Sequence, residues 1–268
     1  MDQKTQAETF AGLHGGGKIL ILPNAWDAAS AAVMADAGAR AVATSSAAVA
    51  WAHGYPDGDA LPIPQLLATI EAVARVVAVP VTADIEGGYT DDLGRLAETI
   101  RAVIGAGAVG VNLEDGRRDP DLHARKVAAA RQAADATGVP LFINARTDVY
   151  LKGLAEGEAA FAEAVRRAEL YRAAGADGIF APGPADPGLI GRLAAHIALP
   201  LNIMLLPALG DAASLQALGV RRVSSATAPF RCAYATVAKA VAAFLADGDP
   251  AAFAAGAEGL GNLNTRFA

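Results

Sequence analysis

The sequence predicts a parallel α/β barrel of the (β/α)8 type, and three observations carry that expectation. Eight short apolar runs alternate with longer segments of helical periodicity. The runs are continuous and rich in β-branched residues, which suits parallel strands covered on both faces. The chain has 268 residues, close to the roughly 250 that such a barrel needs. The runs, in order, are Lys18–Leu22, Ala41–Ser45, Pro80–Asp84, Gly110–Glu114, Leu141–Ala145, Gly178–Ala181, Leu201–Leu205 and Arg222–Ser225. Between them, Asp92–Ala106, Leu122–Ala136 and Glu158–Ala174 have the 3.6-residue period of amphipathic helices. Gly38, Gly107 and Gly175 follow such segments just before the next run, where a helix end favours a left-handed residue. Pro80, Pro140 and Pro200 open other runs, where no ladder hydrogen bond is lost. Strand–helix repetition with short loops requires parallel pairing, and eight repeats favour closure over an open sheet. No linker divides residues 1–268, so one domain is expected. Residues 247–268 read as a C-terminal extension, an extra helix and a polar end suited to packing on a neighbouring subunit.

Composition narrows the partners. A formal charge of −6 argues against nucleic acid, which demands a positive surface. Hydrophobic residues make up 53% and charged ones 19%, enough for a large core and too apolar for disorder. The single cysteine, Cys232, excludes an intramolecular disulfide and a cysteine-based zinc cluster; its helical context predicts a buried, inert thiol. Residues 1–6 lack the apolar stretch of a signal peptide, and no run of about 20 apolar residues suggests a membrane span. The cytoplasm is therefore the expected location.

In a barrel of this type, polar residues at the carboxyl ends of strands face the active site. Here those ends hold Asn24 and Trp26, Ser45 and Ser46, Asp84 and Glu86, Asn112 and Glu114, Asn144 and Arg146, Asn202, and Ser224. Asp84 and Glu86 are two residues apart, which on extended chain puts both carboxylates on one side. Glu114 ends the next strand, and Asp57 lies in a long loop able to close over the same mouth. Converging carboxylates repel unless a cation joins them, and an oxygen-seeking ion such as Mg2+ fits that need. Capping of the following helices is the alternative, and it accounts for one such acid more readily than for three. Arg146 is the one basic residue in this ring; its planar fork suits a carboxylate or a developing enolate, or it neutralises Asp148 or Glu114. Ser45-Ser46-Ala47 begins a turn of small residues whose amides suit an anion. Gly12–Ile19 resembles a phosphate-binding loop only superficially, because its glycines precede a strand, and it reads as a plain loop. His14, His53, His123 and His196 lack metal-ligand spacing; only His53 falls on the presumed active face.

Four motifs, Pro23–Ala31, Ala83–Tyr89, Asn112–Asp115 and Asn144–Asp148, together resemble the isocitrate lyase/phosphoenolpyruvate mutase superfamily over about Leu20–Leu245. The resemblance implies a Mg2+-dependent barrel, Mn2+ being a possible substitute, that forms or cleaves C–C or P–C bonds beside a small anionic 2-oxo acid. It implies a homodimer or homotetramer with a terminal helix exchanged between subunits. Asp84 would be the direct metal ligand, with Asp57, Glu86 and Glu114 reaching the ion through water. Ser45, Ser46 and Ala47 would hold the substrate carboxylate and Arg146 its carboxylate and oxygen, with Trp26, Asn112 and Asn202 as further substrate contacts. Glu114, Arg146 and Tyr89 are the catalytic candidates. The chain departs from the superfamily after Asp115: Gly116-Arg117-Arg118-Asp119-Pro120 replaces a longer gating loop and carries no cysteine acid. Arg117, Arg118, Tyr89 and His123 are the alternatives for that acid. The expectation is a Mg2+-dependent lyase that cleaves or decarboxylates a small 2-oxo or 2-hydroxy acid through a stabilised enolate. Its rivals are a phosphonopyruvate-type P–C hydrolase or mutase and a non-catalytic 2-oxo acid binding protein.

Overall fold

A computed structural model describes residues 2–268. Its strands are β1 (Leu20–Leu22), β2 (Asn24–Ala25), β3 (Val42–Thr44), β4 (Val81–Asp84), β5 (Gly110–Glu114), β6 (Phe142–Arg146), β7 (Gly178–Phe180), β8 (Leu201–Met204) and β9 (Arg222–Ser224). The helices are α1 (Gln3–Gly15), α2 (Ala28–Asp36), α3 (Ser46–Ala52), α4 (Ile63–Val76), α5 (Leu93–Gly105), α6 (Pro120–Asp135), α7 (Gly157–Ala173), α8 (Pro187–His196), α9 (Ala212–Ala217), α10 (Ala228–Asp247), α11 (Ala251–Gly256) and α12 (Leu263–Phe267).

All eight expected runs form strands, and every pairing is parallel, in the order β1-β9-β8-β7-β6-β5-β4-β3-β2. The first run ends at Leu22, and beyond Pro23 a second short strand, β2, follows it, so the count is nine. β1 pairs with β9 and β2 with β3, and the two pieces are consecutive in the chain, so they carry the sheet across the gap of a nearly closed barrel. Pro23 has no N–H to give, but its carbonyl accepts from Ala43 N at 3.0 Å. Beyond it, Asn24 N turns to the Ser225 hydroxyl at 2.9 Å.

Helix faces at i, i+3 and i+4 cover the barrel: Leu66, Ile70 and Val73 from α4, and Leu96, Ile100 and Val103 from α5, all essentially inaccessible. The opposite end of the barrel is closed by α1, which the sequence reading missed. The segment taken as a loop from Gly12 continues the helix to Gly15. Burial of Phe10, Leu13 and His14 under the barrel outweighs the cost of two glycines near a helix end. The His14 ring stacks on Phe142 at 4.0 Å. Gly110 is required there, because a Cβ would come within 2.7 Å of the Phe10 ring.

The eighth helix is the exception to the packing. Of the 20 residues of α10, Ala240 alone is buried. Cys232, expected to be buried, is exposed on it for the same reason. The outer face of β1, where an eighth helix would lie, leaves Ile21 61% exposed beside a groove formed with Met34 and Pro23. The C-terminal extension forms the two short helices α11 and α12. Arg266 of α12 binds Asp36 of the chain's own α2 at 2.9 Å and the Val76 carbonyl at 3.1 Å. Among the described residues, no helix is long and apolar enough to cross a membrane.

Candidate active site

At the carboxyl ends of the strands lies a cavity of about 140 Å3. Its wall includes Asn24, Ser45, Ser46, Ala47, Asp57, Asp84, Asn112 and Arg146, and its apolar side is Leu151, Phe180 and Met204. Ser45 caps α3, so the first amides of that helix, those of Ser46 and Ala47, have no carbonyl partner within the helix. Asp84 ends β4, where its amide donates to the Thr44 hydroxyl at 2.9 Å. Its carboxylate accepts from Glu86 N at 3.2 Å. Asn112 faces it because the two residues are register partners on β5 and β4.

Glu86 behaves differently from the two-residue alternation expected. The chain leaves the strand after Asp84, and Glu86 has a left-handed φ of 51°. Its carboxylate turns under the Asp57 loop, accepting from Gly58 N at 2.7 Å, from Asp59 N, and from the Tyr89 hydroxyl at 3.0 Å. Asp59 binds back to Gly87 N and Tyr89 N and pairs with Arg118 at 2.7 Å. The buried Lys126 ammonium donates to the Thr90 carbonyl at 2.7 Å and to Asp91 at 2.9 Å. Asp57, Glu86 and the short loop after Asp115 are thus tied into one rim.

Arg146 lies between acids. Its Nε donates to Asp148 Oδ1 at 2.7 Å, Nη2 to Asp148 Oδ2 at 3.2 Å, and Nη1 contacts Glu114 Oε2 at 2.7 Å. Three of its five N–H groups are so engaged, which leaves two for a ligand. Asp148 is held in turn: its amide donates to the fully buried Asp115, which also accepts from Arg167 at 2.8 Å and the Tyr171 hydroxyl at 2.6 Å.

The acids here are strained electrostatically. Burial raises the Asp84 carboxyl, offset in part by Arg146 and reinforced by Asp57. Burial likewise raises Glu86, against the backbone hydrogen bond from Asp59. Glu114 is pushed up to about 8 by burial, with Arg146 opposing and Asp148, Asp84 and Asp57 adding to the shift. Burial would lower the Arg146 guanidinium, but Glu114, Asp148 and Asp84 more than compensate and hold it above its ordinary value. Among the described residues no three His, Cys, Asp or Glu side chains converge closely enough to ligate one ion directly. Asp84 and Asp57 in the wall, with Glu114 behind Arg146 and Glu86 under the rim, fit an ion that keeps several waters, as Mg2+ does. The raised carboxyls are the second indication, because a cation among them would relieve the repulsion.

Carboxyls whose folded values lie above their unfolded ones support stability fully below the unfolded values and lose that support as pH rises through the folded ones. The metal-free protein should therefore melt progressively lower between about pH 5 and about pH 8, by a few degrees, where Glu114 titrates. Added Mg2+ should raise the melting temperature more at the upper end of that range. A Mg2+ effect that is absent or larger at acid pH would contradict this picture.

The structure gathers Ser45, Ser46, Ala47, Asp57, Asp84, Asn112 and Arg146 at one cavity. It does not bring Trp26 there: that ring packs edge-on against Phe230 at 5.2 Å. Tyr89 serves Glu86, and burial pushes its hydroxyl upward. Asn202 lies inside the barrel below the cavity, accepting from Ser224 at 3.2 Å. His123 is fully buried against Tyr171, and His53 binds Thr69 on the outer side at 3.0 Å, so neither reaches the cavity. Arg117 donates to the Lys152 carbonyl and Arg118 to Asp59 and Asp91. Asn24, named among the strand ends, also lies in the cavity wall, whereas Arg222, buried beneath it, is not marked by its place in the sequence. Arg222 is two residues before the inward Ser224, so strand alternation would have turned it inward; its place at the strand's start, away from the mouth, hid it.

Fold and site together define a parallel barrel whose mouth combines buried carboxylates with one arginine. The family model described as phosphoenolpyruvate phosphomutase matches residues 10–245, and the chain belongs to that family. An uncharacterized protein of Mycobacterium tuberculosis is 34% identical over 245 residues, 90% of each chain. Oxaloacetate decarboxylase 1 of Pseudomonas fluorescens is 31% identical over 209 residues, 73% of this chain and 70% of the relative. A crystal structure from Burkholderia cenocepacia J2315, provisionally named a phosphonomutase, superposes with a TM-score of 0.85 at 44% identity, covering 88% of this chain and 98% of that one. A 2,3-dimethylmalate lyase, described as a member of the PEP mutase/isocitrate lyase superfamily, superposes with a TM-score of 0.82 at 25% identity, covering 91% of this chain and 89% of that one.

Proposed function

We propose that the protein is a Mg2+-dependent lyase that decarboxylates or cleaves a small 2-oxo acid, with an oxaloacetate-like four-carbon acid as the substrate class. The cavity is the observation that carries this reading. At about 140 Å3 it is far below a drug-sized pocket of about 300–1,000 Å3. Such a space, with Asp84 and Arg146 in its wall, suits a small carboxylic acid. The amides of Ser46 and Ala47 would hold the substrate's 1-carboxylate. The two unengaged N–H groups of Arg146 would face the 2-oxo group, fixed in direction by Asp148. When bound, Mg2+ would supply positive charge to the same oxygen, held by Asp84 directly and by Asp57, Glu86 and Glu114 through water.

In decarboxylation the C3–C4 bond breaks, carbon dioxide leaves, and the electron pair moves to the 2-oxo oxygen, where Arg146 stabilises it. A proton from water then adds to C3. Because water can protonate C3, this reaction needs no side-chain acid, and the short loop after Asp115 supplies none: Arg117 and Arg118 are bound away from the cavity. That favours decarboxylation over the routes that depend on a loop acid. The test is product analysis: pyruvate and carbon dioxide support the reading, whereas phosphate release from phosphonopyruvate would assign P–C cleavage. Tight binding without turnover would leave a 2-oxo acid binding protein.

We also propose that the working unit is a homodimer or a tetramer of dimers in which α10 is exchanged. On α10, Val237 is 55% and Leu245 76% exposed, and the groove beside Ile21 offers an apolar seat of matching character. Light scattering should give at least twice the 27.1 kDa of one chain. The double substitution Val237→Asp and Val241→Asp should shift the protein toward monomer. A monomeric wild-type protein would refute the proposal.

A further inference from the structure

The largest fully buried side chain of the barrel has no role in the site as described so far. Arg222, at the start of β9, is 1% exposed. It lies in the bore of the barrel with Asn144, Asn202 and Asn112, the last of which also lines the cavity. In the strand order, β9 and β5 stand four places apart, on opposite sides of the barrel. Arg222 crosses that bore to donate from Nη2 to the Asn112 Oδ1 at 3.1 Å. The same oxygen accepts from Asn144 Nδ2 at 2.8 Å. Its Nε and Nη1 have no partner among the described residues.

The two donors on Oδ1 decide which way the Asn112 amide points. An asparagine is nearly symmetric in shape, and its oxygen and nitrogen ends exchange by a half-turn. With Oδ1 held from below by two N–H groups, the NH2 end faces Asp84, its register partner. The reversed amide would set an oxygen against a buried carboxylate and leave two donors facing an NH2 group, so the lock is worth several hydrogen bonds. We propose that Arg222 is a positioning residue: by locking the Asn112 amide it fixes the rotamer of Asp84 and so pre-shapes the metal site. This rests on the reading of Asp84 as the direct metal ligand.

The direction of the effect separates positioning from simple charge. A cation near Asp84 repels an incoming metal ion, so by charge alone its removal would tighten metal binding. If Arg222 acts through Asn112, its removal weakens binding instead, by about tenfold or more, the usual consequence of losing an outer-shell partner. The measurement is Mn2+ titration followed by the EPR signal of the free ion, on the wild-type protein and on Asp84→Ala, Arg222→Met and Arg222→Lys. Circular dichroism checks the fold of each. The expected result is binding by wild type, none by Asp84→Ala, a loss of about tenfold or more in Arg222→Met, and partial recovery in Arg222→Lys. Unchanged or tighter binding by Arg222→Met overturns the inference while leaving the site intact. Equal binding by wild type and Asp84→Ala would instead remove the reading of Asp84, and this inference with it. Should Arg222→Met not fold, Arg222→Gln is read against the same two outcomes: it keeps a polar group in the bore and ends two bonds short of Asn112.

Discussion

Replacing Asp84 by Ala should abolish metal-dependent turnover while leaving the barrel folded. The expected loss is about a thousandfold or more, equivalent to roughly 4 kcal/mol of transition-state stabilisation. The argument is positional. Asp84 is the one carboxylate that ends a strand at the cavity wall with its backbone fixed by Thr44, its side chain held by Glu86 N, and Asn112 as its register partner. Asp57 reaches the same wall from an exposed loop, and Glu86 and Glu114 are engaged by the rim and by Arg146. Burial already raises the Asp84 carboxyl, so its removal relieves a desolvated charge, and the melting temperature should hold or rise slightly. A steady-state assay with scanning calorimetry on the same preparation reads both halves. Full activity in the variant would remove Asp84 from the site; lost activity with a collapsed melting transition would show that the fold had been broken instead.

Arg146→Ala should be costly in both respects. Arg146 is the common partner of Glu114 and of the fully buried Asp148. Without it two acids stay buried and unpaired, and breaking a buried pair in this way costs about 3–5 kcal/mol. The substrate oxygen would lose its main protein-derived donor, so kcat/KM should fall by about a hundredfold to a thousandfold. Arg146→Lys separates the two effects. A lysine restores charge between the acids, so most of the stability should return, but it cannot reproduce the fork to Asp148, and kcat should stay low. Lowering the pH should partly rescue the stability of the Ala variant, because protonation neutralises the stranded carboxyls. An unchanged kcat/KM in Arg146→Ala would place the residue outside the reaction.

The strands were legible because a parallel barrel writes each one as an apolar run of a few residues, and the helix-ending glycines and strand-opening prolines mark the boundaries. The cavity was legible to the extent that its residues sit at strand ends: Ser45, Asp84, Asn112 and Arg146 are read directly from their positions. Reasoning failed where the backbone departs from its regular period. Glu86 was placed beside Asp84 by two-residue alternation, but the chain turns left-handed at Glu86, and that turn is stabilised by Gly58 and Asp59 from a loop some 28 residues away in sequence. Trp26 follows its strand, so alternation does not govern it, and it turns outward to Phe230 of α10. α1 escaped detection because its pattern is only weakly amphipathic and its value lies in plugging the barrel, a tertiary effect. Cys232 was misplaced because an apolar helix is ordinarily buried by its own chain, and α10 is not. Arg222 opens its strand at the end away from the mouth, so a reading of strand ends does not mark it.

The central claim, a Mg2+-dependent lyase centred on Asp84, is tested most directly by pyruvate formation from oxaloacetate coupled to lactate dehydrogenase. Wild type and Asp84→Ala are run side by side with and without Mg2+, because the free ion alone decarboxylates this substrate. The account predicts turnover by wild type well above the metal-only rate, lost on chelation and lost in the variant. A wild-type rate equal to that of Mg2+ alone, or equal to that of Asp84→Ala, would contradict it.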